Sequence, residues 1–231
     1  MSLQTENLTR VYRLGSSTIA AVSEVSMQVK KATFVTIVGP SGSGKTTLLN
    51  LLGLNDSPTS GKIFFENEDT AHFSEAKRRR TRLQQMGFVF QTFNLIPTLT
   101  ALENVELPMA LARKSREEQT ERALRLLEMV GLEKRLCHRP KELSAGEMQR
   151  VAVARALGNA PKIVFGDEPT GELDSETGSE IIRLLSELCK KQETTVIVAT
   201  HDKRLTEVAD ATYEIRDGKI VDTKSQRAVP Q

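Results

Sequence analysis

The sequence predicts an α/β fold, in which a core of apolar strands and helices is preceded by antiparallel strands and carries an inserted helical lobe. Three observations predict it. An apolar, β-leaning run, Phe34-Val35-Thr36-Ile37-Val38, enters the loop Gly39-Pro40-Ser41-Gly42-Ser43-Gly44-Lys45-Thr46-Thr47, and residues 48–52 then read as a helix. Two further apolar strands, at 163–167 and 195–200, end at the polar pairs Asp167-Glu168 and His201-Asp202. At the N-terminus, residues 3–12 and 20–29 alternate apolar and polar, the period of half-buried strands, with Gly15-Ser16-Ser17 as the turn between them.

The loop has the form G-x-x-x-x-G-K-T between a strand and a helix, the context a phosphate-binding loop needs. Its glycines let the backbone turn its N–H groups inward as a nest for phosphate oxygens. A helix beginning near Gly44 adds orphan N–H donors and the positive end of its dipole. Lys45 is a point charge for the β- and γ-phosphates, and the Thr46 hydroxyl is placed to ligate Mg²⁺. Gly39, Ser41, Gly42, Ser43, Gly44 and Thr47 complete the set expected against a nucleotide.

Composition narrows the class. At 231 residues, with 39% hydrophobic and 27% charged residues, the chain can bury the core of a globular domain. A net charge of +2 sets up no global field for nucleic acid. The N-terminus reads as no signal peptide, and no run of eighteen apolar residues spans a bilayer. Cys137 and Cys189 fit no metal-ligand spacing and read as thiols in a reducing compartment.

Further along, Pro58-Thr59-Ser60-Gly61 is a turn and residues 62–65 a short strand. Ser74 caps a charged helix whose Lys77-Arg78-Arg79-Arg80 and Arg82 read as a solvated face, since no aromatic residues interleave with them. Gly87-Phe88-Val89-Phe90 is an apolar strand ending at Gln91. Thr100 caps a helix expected to stop at Pro108, and Ser115 starts another with Ala123, Leu124, Leu127 and Val130 on one face and Gly131 as its stop. Ser144 and Glu147 match a capping box opening a long helix, a place that can also hold an anion. The helical segment, about 92–159, has no linker around it, so residues 1–231 read as one domain. Asp167 and Glu168, on opposite faces if their strand continues, hold different tasks: Asp167 the Mg²⁺ shell, Glu168 a water. Asp174 precedes a helix over 175–191. From Ala211 two short strands turn about Asp217-Gly218, and 223–231 reads as a frayed tail.

In this order the motifs resemble the nucleotide-binding domain of ABC transporters, over nearly the whole chain. Residues 39–46 look like Walker A, Gln91 the Q-loop glutamine, Leu143-Ser144-Ala145-Gly146-Glu147 the signature, Asp167-Glu168 the end of Walker B, Gly171-Glu172-Leu173-Asp174 the D-loop and His201 the switch histidine. Tyr12 matches the aromatic that stacks on adenine. Phe90-Gln91-Thr92-Phe93-Asn94-Leu95-Ile96-Pro97, with residues 99–105, is similar to ATPases of the MacB and LolD type, which serve lipoprotein releasers and macrolide or peptide exporters. Ala145 and Glu147 depart from the signature's glycine and glutamine, and Gly166 is smaller than the usual apolar residue.

The resemblance implies a P-loop NTPase (RecA-like) core and an ATPase. Glu168 would polarise the attacking water, and Thr46, Gln91 and Asp167 would serve the Mg²⁺. His201 would contact the γ-phosphate, and Asp174 would order a dimer interface. It implies a homodimer in which Ser144 and Gly146 of one copy cap ATP held by the other. It also implies an integral-membrane permease as partner, a place on the cytoplasmic face, and no nucleic acid. The alternatives are a soluble ABC ATPase, which would have a coiled-coil insertion or a second cassette, and a regulatory module that holds ATP, which would lack Glu168 or His201.

Overall fold

The computed structural model describes residues 1–15 and 17–225, with Leu14 by its backbone alone. Of the turn expected at 15–17, Ser16 lies outside the described residues, as do 226–231 of the expected tail. The strands are β1 (Leu3–Leu14), β2 (Ser17–Val29), β3 (Phe34–Val38), β4 (Ser60–Phe65), β5 (Glu68–Asp69), β6 (Met86–Phe90), β7 (Ile163–Asp167), β8 (Thr195–Thr200), β9 (Ala211–Arg216) and β10 (Lys219–Ser225). The α-helices are α1 (Lys45–Leu52), α2 (Glu75–Gln85), α3 (Ala101–Leu111), α4 (Arg116–Met129), α5 (Ala145–Ala156), α6 (Ser175–Gln192) and α7 (Lys203–Val208).

Two sheets form. One runs β2-β1-β4-β5, antiparallel throughout; the other runs β10-β9-β3-β8-β7-β6. In the second, β9, β3, β8, β7 and β6 are parallel and only β10 returns antiparallel. The register pairs Val38 with Thr200, Asp167 with Ala199 and Phe90 with Asp167. Whatever follows these strands therefore emerges at one end of the sheet, where α/β sheets hold their ligands.

Alternation along the strands feeds two cores. Phe34, Val164, Val196 and Val198 pack in one cluster with α3 to α6; Val35, Ile37, Ile163, Phe165, Ile197 and Ala199 pack in another with α1 and the antiparallel sheet. A parallel sheet covered on both faces needs such uninterrupted apolar strands. Gly166 sits within this packing: a Cβ there would lie 3.3 Å from Val198 and 3.4 Å from Pro169. The small residue admits these neighbours closely.

Three expectations are corrected. The helix expected to stop at Pro108 continues to Leu111. Proline removes only its own N–H, while Met109, buried four residues beyond buried Val105, holds the next turn in place. The Pro108 carbonyl accepts from Ala112 N at 3.1 Å and Asn159 Nδ2 at 2.8 Å. On α4 the inward face is Gln119, Ala123, Leu126 and Leu127, continued by Val130; Leu124 is 40% exposed, because the centre of that face lies about a third of a turn away from it. Finally, residues 223–225 are not frayed: Thr223 pairs with Tyr213, Lys224 with Thr212 and Ser225 with Ala211.

Candidate functional site

The loop after β3 has the backbone its glycines allow. Gly42 and Gly44 take φ of 77° and 102°, in the left-handed region. A Cβ on Gly39 would overlap the Ile215 carbonyl oxygen, and one on Gly44 the Ala21 carbonyl oxygen. Gly44 is the N-cap of α1 and supplies no side-chain cap, so the first-turn N–H groups of Lys45, Thr46 and Thr47 are left for a ligand. The Lys45 ammonium folds back to donate to the Gly39 and Pro40 carbonyls, at 2.8 and 3.0 Å, keeping one of its three donors for an anion. Ser43 is buried beneath the loop with its hydroxyl unpartnered among the described residues.

A cavity of about 840 Å³ opens over this loop. Gly39, Ser41, Gly42, Gly44, Lys45, Thr46 and Thr47 line one side, and Gln91, Glu168 and His201 face them. Sequence reasoning missed Ala20 and Ala21 of β2 and the Asp217-Gly218 turn, which close the cavity's rim. Small residues in a strand and an ordinary hairpin turn carry no signal until the two sheets are brought together.

From the cavity wall, Thr46 Oγ1 donates to Asp167 Oδ1 at 3.1 Å. Burial pushes the Asp167 carboxyl above its usual range and the neighbouring Glu168 adds to this, against the Thr46 hydrogen bond and Lys45. A half-buried carboxylate beside a second one is a place where a cation restores the charged form. Gln91 Nε2 donates to Glu172 Oε1 at 2.8 Å, which leaves the amide carbonyl oxygen available. Hydroxyl, carboxylate and amide oxygens form the hard donor set that suits Mg²⁺.

Glu168 does not continue the strand, so it and Asp167 are not simply on opposite faces. β7 ends at Asp167, and Glu168 turns with φ of 46°. Its N–H donates to the Ala199 carbonyl at 2.9 Å. Its carboxylate accepts from Thr200 Oγ1 at 3.1 Å and His201 N at 3.3 Å, with His201 Nδ1 3.0 Å from Oε1. The end of β8 thus fixes the residue that follows β7. A further link is Asp202, which accepts from Thr170 Oγ1 at 3.0 Å and from Arg204 Nη2 at 2.7 Å, while Arg204 Nη1 donates to the Ser175 carbonyl at 2.6 Å. Nothing at the sequence level singled out Arg204.

Six predicted site residues do not line the cavity; one of them, Asp167, reaches its edge only through Thr46. Tyr12 pairs in register with Ile19, at the cavity's edge, but its hydroxyl donates to Asp56 at 2.8 Å and the Arg10 guanidinium lies 4.7 Å over its ring. Ser43 is beneath the loop. Ser144, Gly146 and Asp174 form a second cluster at the starts of α5 and α6. The Ser144 side chain accepts from Glu147 N, Asp174 accepts from Thr177 Oγ1 at 2.7 Å, and a Cβ on Gly146 would overlap the Thr177 methyl.

A phosphate-binding loop at the end of a parallel sheet, faced by paired carboxylates and a histidine, defines a nucleotide triphosphatase of P-loop type. The family model for "ABC transporter" matches residues 22–171, and the chain belongs to that family, as an ATP-binding cassette and an ATPase. It is 44% identical over 218 residues to the lipoprotein-releasing system ATP-binding protein LolD of Legionella pneumophila strain Lens, covering 94% of this chain and 96% of that one. It is 44% identical over 222 residues to the ABC transporter ATP-binding protein MJ0796 of Methanocaldococcus jannaschii, covering 94% of each. The dimeric post-hydrolysis structure of MJ0796 bound to ADP and Pi superposes with a TM-score of 0.91 at 42% identity, over 98% of this chain and 100% of that one. The cbiO1 structure from Clostridium perfringens, part of the transporter complex cbiONQ, matches with a TM-score of 0.87 at 29% identity, over 97% of this chain and 88% of that one.

Proposed function

We propose that this protein is the ATP-hydrolysing subunit of a membrane transporter of the lipoprotein-release or macrolide and peptide export type, working as a homodimer around two Mg-ATP. The observation that carries this reading is the separation of the two clusters of site residues within one chain: the cavity over Lys45 lacks Ser144, Gly146 and Asp174. Two copies placed head to tail would bring each cluster to the other's nucleotide, an isologous arrangement. The dimer of MJ0796 bound to ADP and Pi supports it.

In this reading Lys45 and the α1 N–H groups neutralise the β- and γ-phosphates. Thr46, Gln91 and Asp167 would hold Mg²⁺, which when bound would supply Lewis-acid neutralisation of phosphate charge. Glu168 accepts a hydrogen bond from the attacking water and orients it in line with the γ-phosphate, and His201 contacts that phosphate. Tyr12 turns from Asp56 to stack on the base. Cleavage removes the γ-phosphate contacts shared by the two copies, so the interface opens.

A groove of about 380 Å³ lies between α2, β6 and the end of α3, lined by Arg79, Arg82, Phe88, Phe90, Leu107 and Leu111. It is the place proposed for a permease segment, next to the 92–97 loop that follows Gln91. Among the described residues no helix is long and apolar enough to cross a membrane, so a permease chain would supply the path. In this reading the protein sits on the cytoplasmic face, held there by its permease partner.

The test is ATP turnover against protein concentration. Specific activity should rise with concentration and saturate as dimers form. Turnover that stays negligible at every concentration, from a protein that stays monomeric with ATP, would leave an ATP-holding regulatory module as the better reading.

A further inference from the structure

The start of α5 differs from the other helix starts of the same design. Thr100, Ser115 and Ser144 each open a helix with a capping box, paired with Glu103, Glu118 and Glu147. In the first two, the hydroxyl also donates to its own glutamate, at 3.0 Å in each case. At Ser144 that bond is not formed among the described residues, although the hydroxyl is near enough to help hold the carboxyl in its charged form. Glu147 Oε1 instead accepts from Arg135 Nε at 2.8 Å and Oε2 from Ser144 N at 2.9 Å, so a guanidinium balances the carboxylate's charge here, as, among the described residues, it does at neither of the other two boxes. The Glu147 side chain is 18% exposed, and Arg135 is what holds its carboxyl below the usual range.

We propose that Arg135 is a positioning residue for the contact between Ser144 and the γ-phosphate of ATP bound by a second copy. It neutralises the Glu147 carboxylate at the tip of α5 and leaves the Ser144 hydroxyl proton for a phosphate oxygen. The inference rests on the head-to-tail homodimer proposed above. An unpaired carboxylate one helical turn from a γ-phosphate would repel it and would capture the hydroxyl, as Glu103 and Glu118 do at their own helices. A chain with glutamine at this position has no such charge to hold. Arg135 therefore answers a need created by Glu147, and the two residues act as a pair.

The experiment uses Arg135→Gln, Glu147→Gln and the double variant, each in a Glu168→Gln background that retains ATP. The dimer dissociation constant in Mg-ATP is read by sedimentation, ATP affinity at low protein concentration by calorimetry, and folding by the urea midpoint. Arg135→Gln should weaken the dimer about a hundredfold, about tenfold at each of two sites, with ATP affinity of the monomer unchanged. The double variant should return to within about threefold of Glu147→Gln alone, the signature of a pair that is coupled rather than additive. A dimer unaffected by Arg135→Gln overturns the proposal. So does a double variant as weak as Arg135→Gln, the result a merely structural arginine in the turn before α5 would give. If Ser144→Ala weakens the parent dimer while Arg135→Gln does not, only this inference fails. If the parent forms no dimer with ATP, the proposed function fails and takes this inference with it.

Discussion

At Glu168 the backbone takes a left-handed conformation that costs an ordinary side chain about 1 kcal/mol, and four contacts from the end of β8 hold it there. Strain maintained by this many hydrogen bonds aims a carboxylate at one place, here the wall of the cavity opposite Lys45. Glu168→Gln keeps the shape and the acceptor oxygen but loses the charge. Turnover should fall about 10²- to 10⁴-fold while ATP still binds; a variant with a tenth or more of the parent rate would remove Glu168 from the role. Lys45 shows a related economy: with two of its donors on the Gly39 and Pro40 carbonyls, its ammonium is already positioned before an anion arrives.

Among the elements, the helix starts respond to acid. The Glu103 and Glu118 carboxyls are held below their ordinary value of 4.5 chiefly by backbone N–H groups of Thr100 and Ser115, and Glu147 chiefly by Arg135. A folded-state value below the unfolded one gives stability that is fully present above about pH 4.5 and is lost as pH falls through the folded values. The urea midpoint should therefore drop between pH 6 and pH 3, and drop less in a Glu103→Gln, Glu118→Gln double variant. An equal drop in both proteins would show that these caps are not responsible. The same boxes explain why Thr100, Ser115 and Ser144 were legible as helix starts: the signal is local, a hydroxyl and a carboxylate three residues apart. Pro108 misled for the complementary reason, since what carries α3 past it is burial of Met109, a contact with distant parts of the chain.

For the molecule as a whole, the Asp202–Arg204 pair ties the 170–175 segment to the residue next to His201. A planar guanidinium bonds both sides from separate nitrogens in a fixed fork, a span that the single nitrogen of an ammonium does not cover. Arg204→Ala should lower kcat at saturating ATP several-fold with little change in KM, and Arg204→Lys should not restore it. A kcat equal to the parent's in the alanine variant would show that the two segments hold their relative position without it. This link, like the contact of Gly146 with Thr177, joins segments separated by tens of residues and has no local pattern by which to be read.

What the sequence by itself determined is the list of parts: the phosphate loop, the strand-end carboxylates and histidine, the capped helices and the order in which they come. These depend on glycine freedom, on side-chain period and on chemistry carried within a few residues, all of which act locally. Tertiary structure alone decided which parts share a cavity, that Tyr12 rests on Asp56, that Glu168 turns away from its strand, and that Arg135 holds Glu147. Those outcomes follow from parallel strand register and from packing between distant segments, because a hydrogen bond or a close approach exists only once both partners have been brought to the same place.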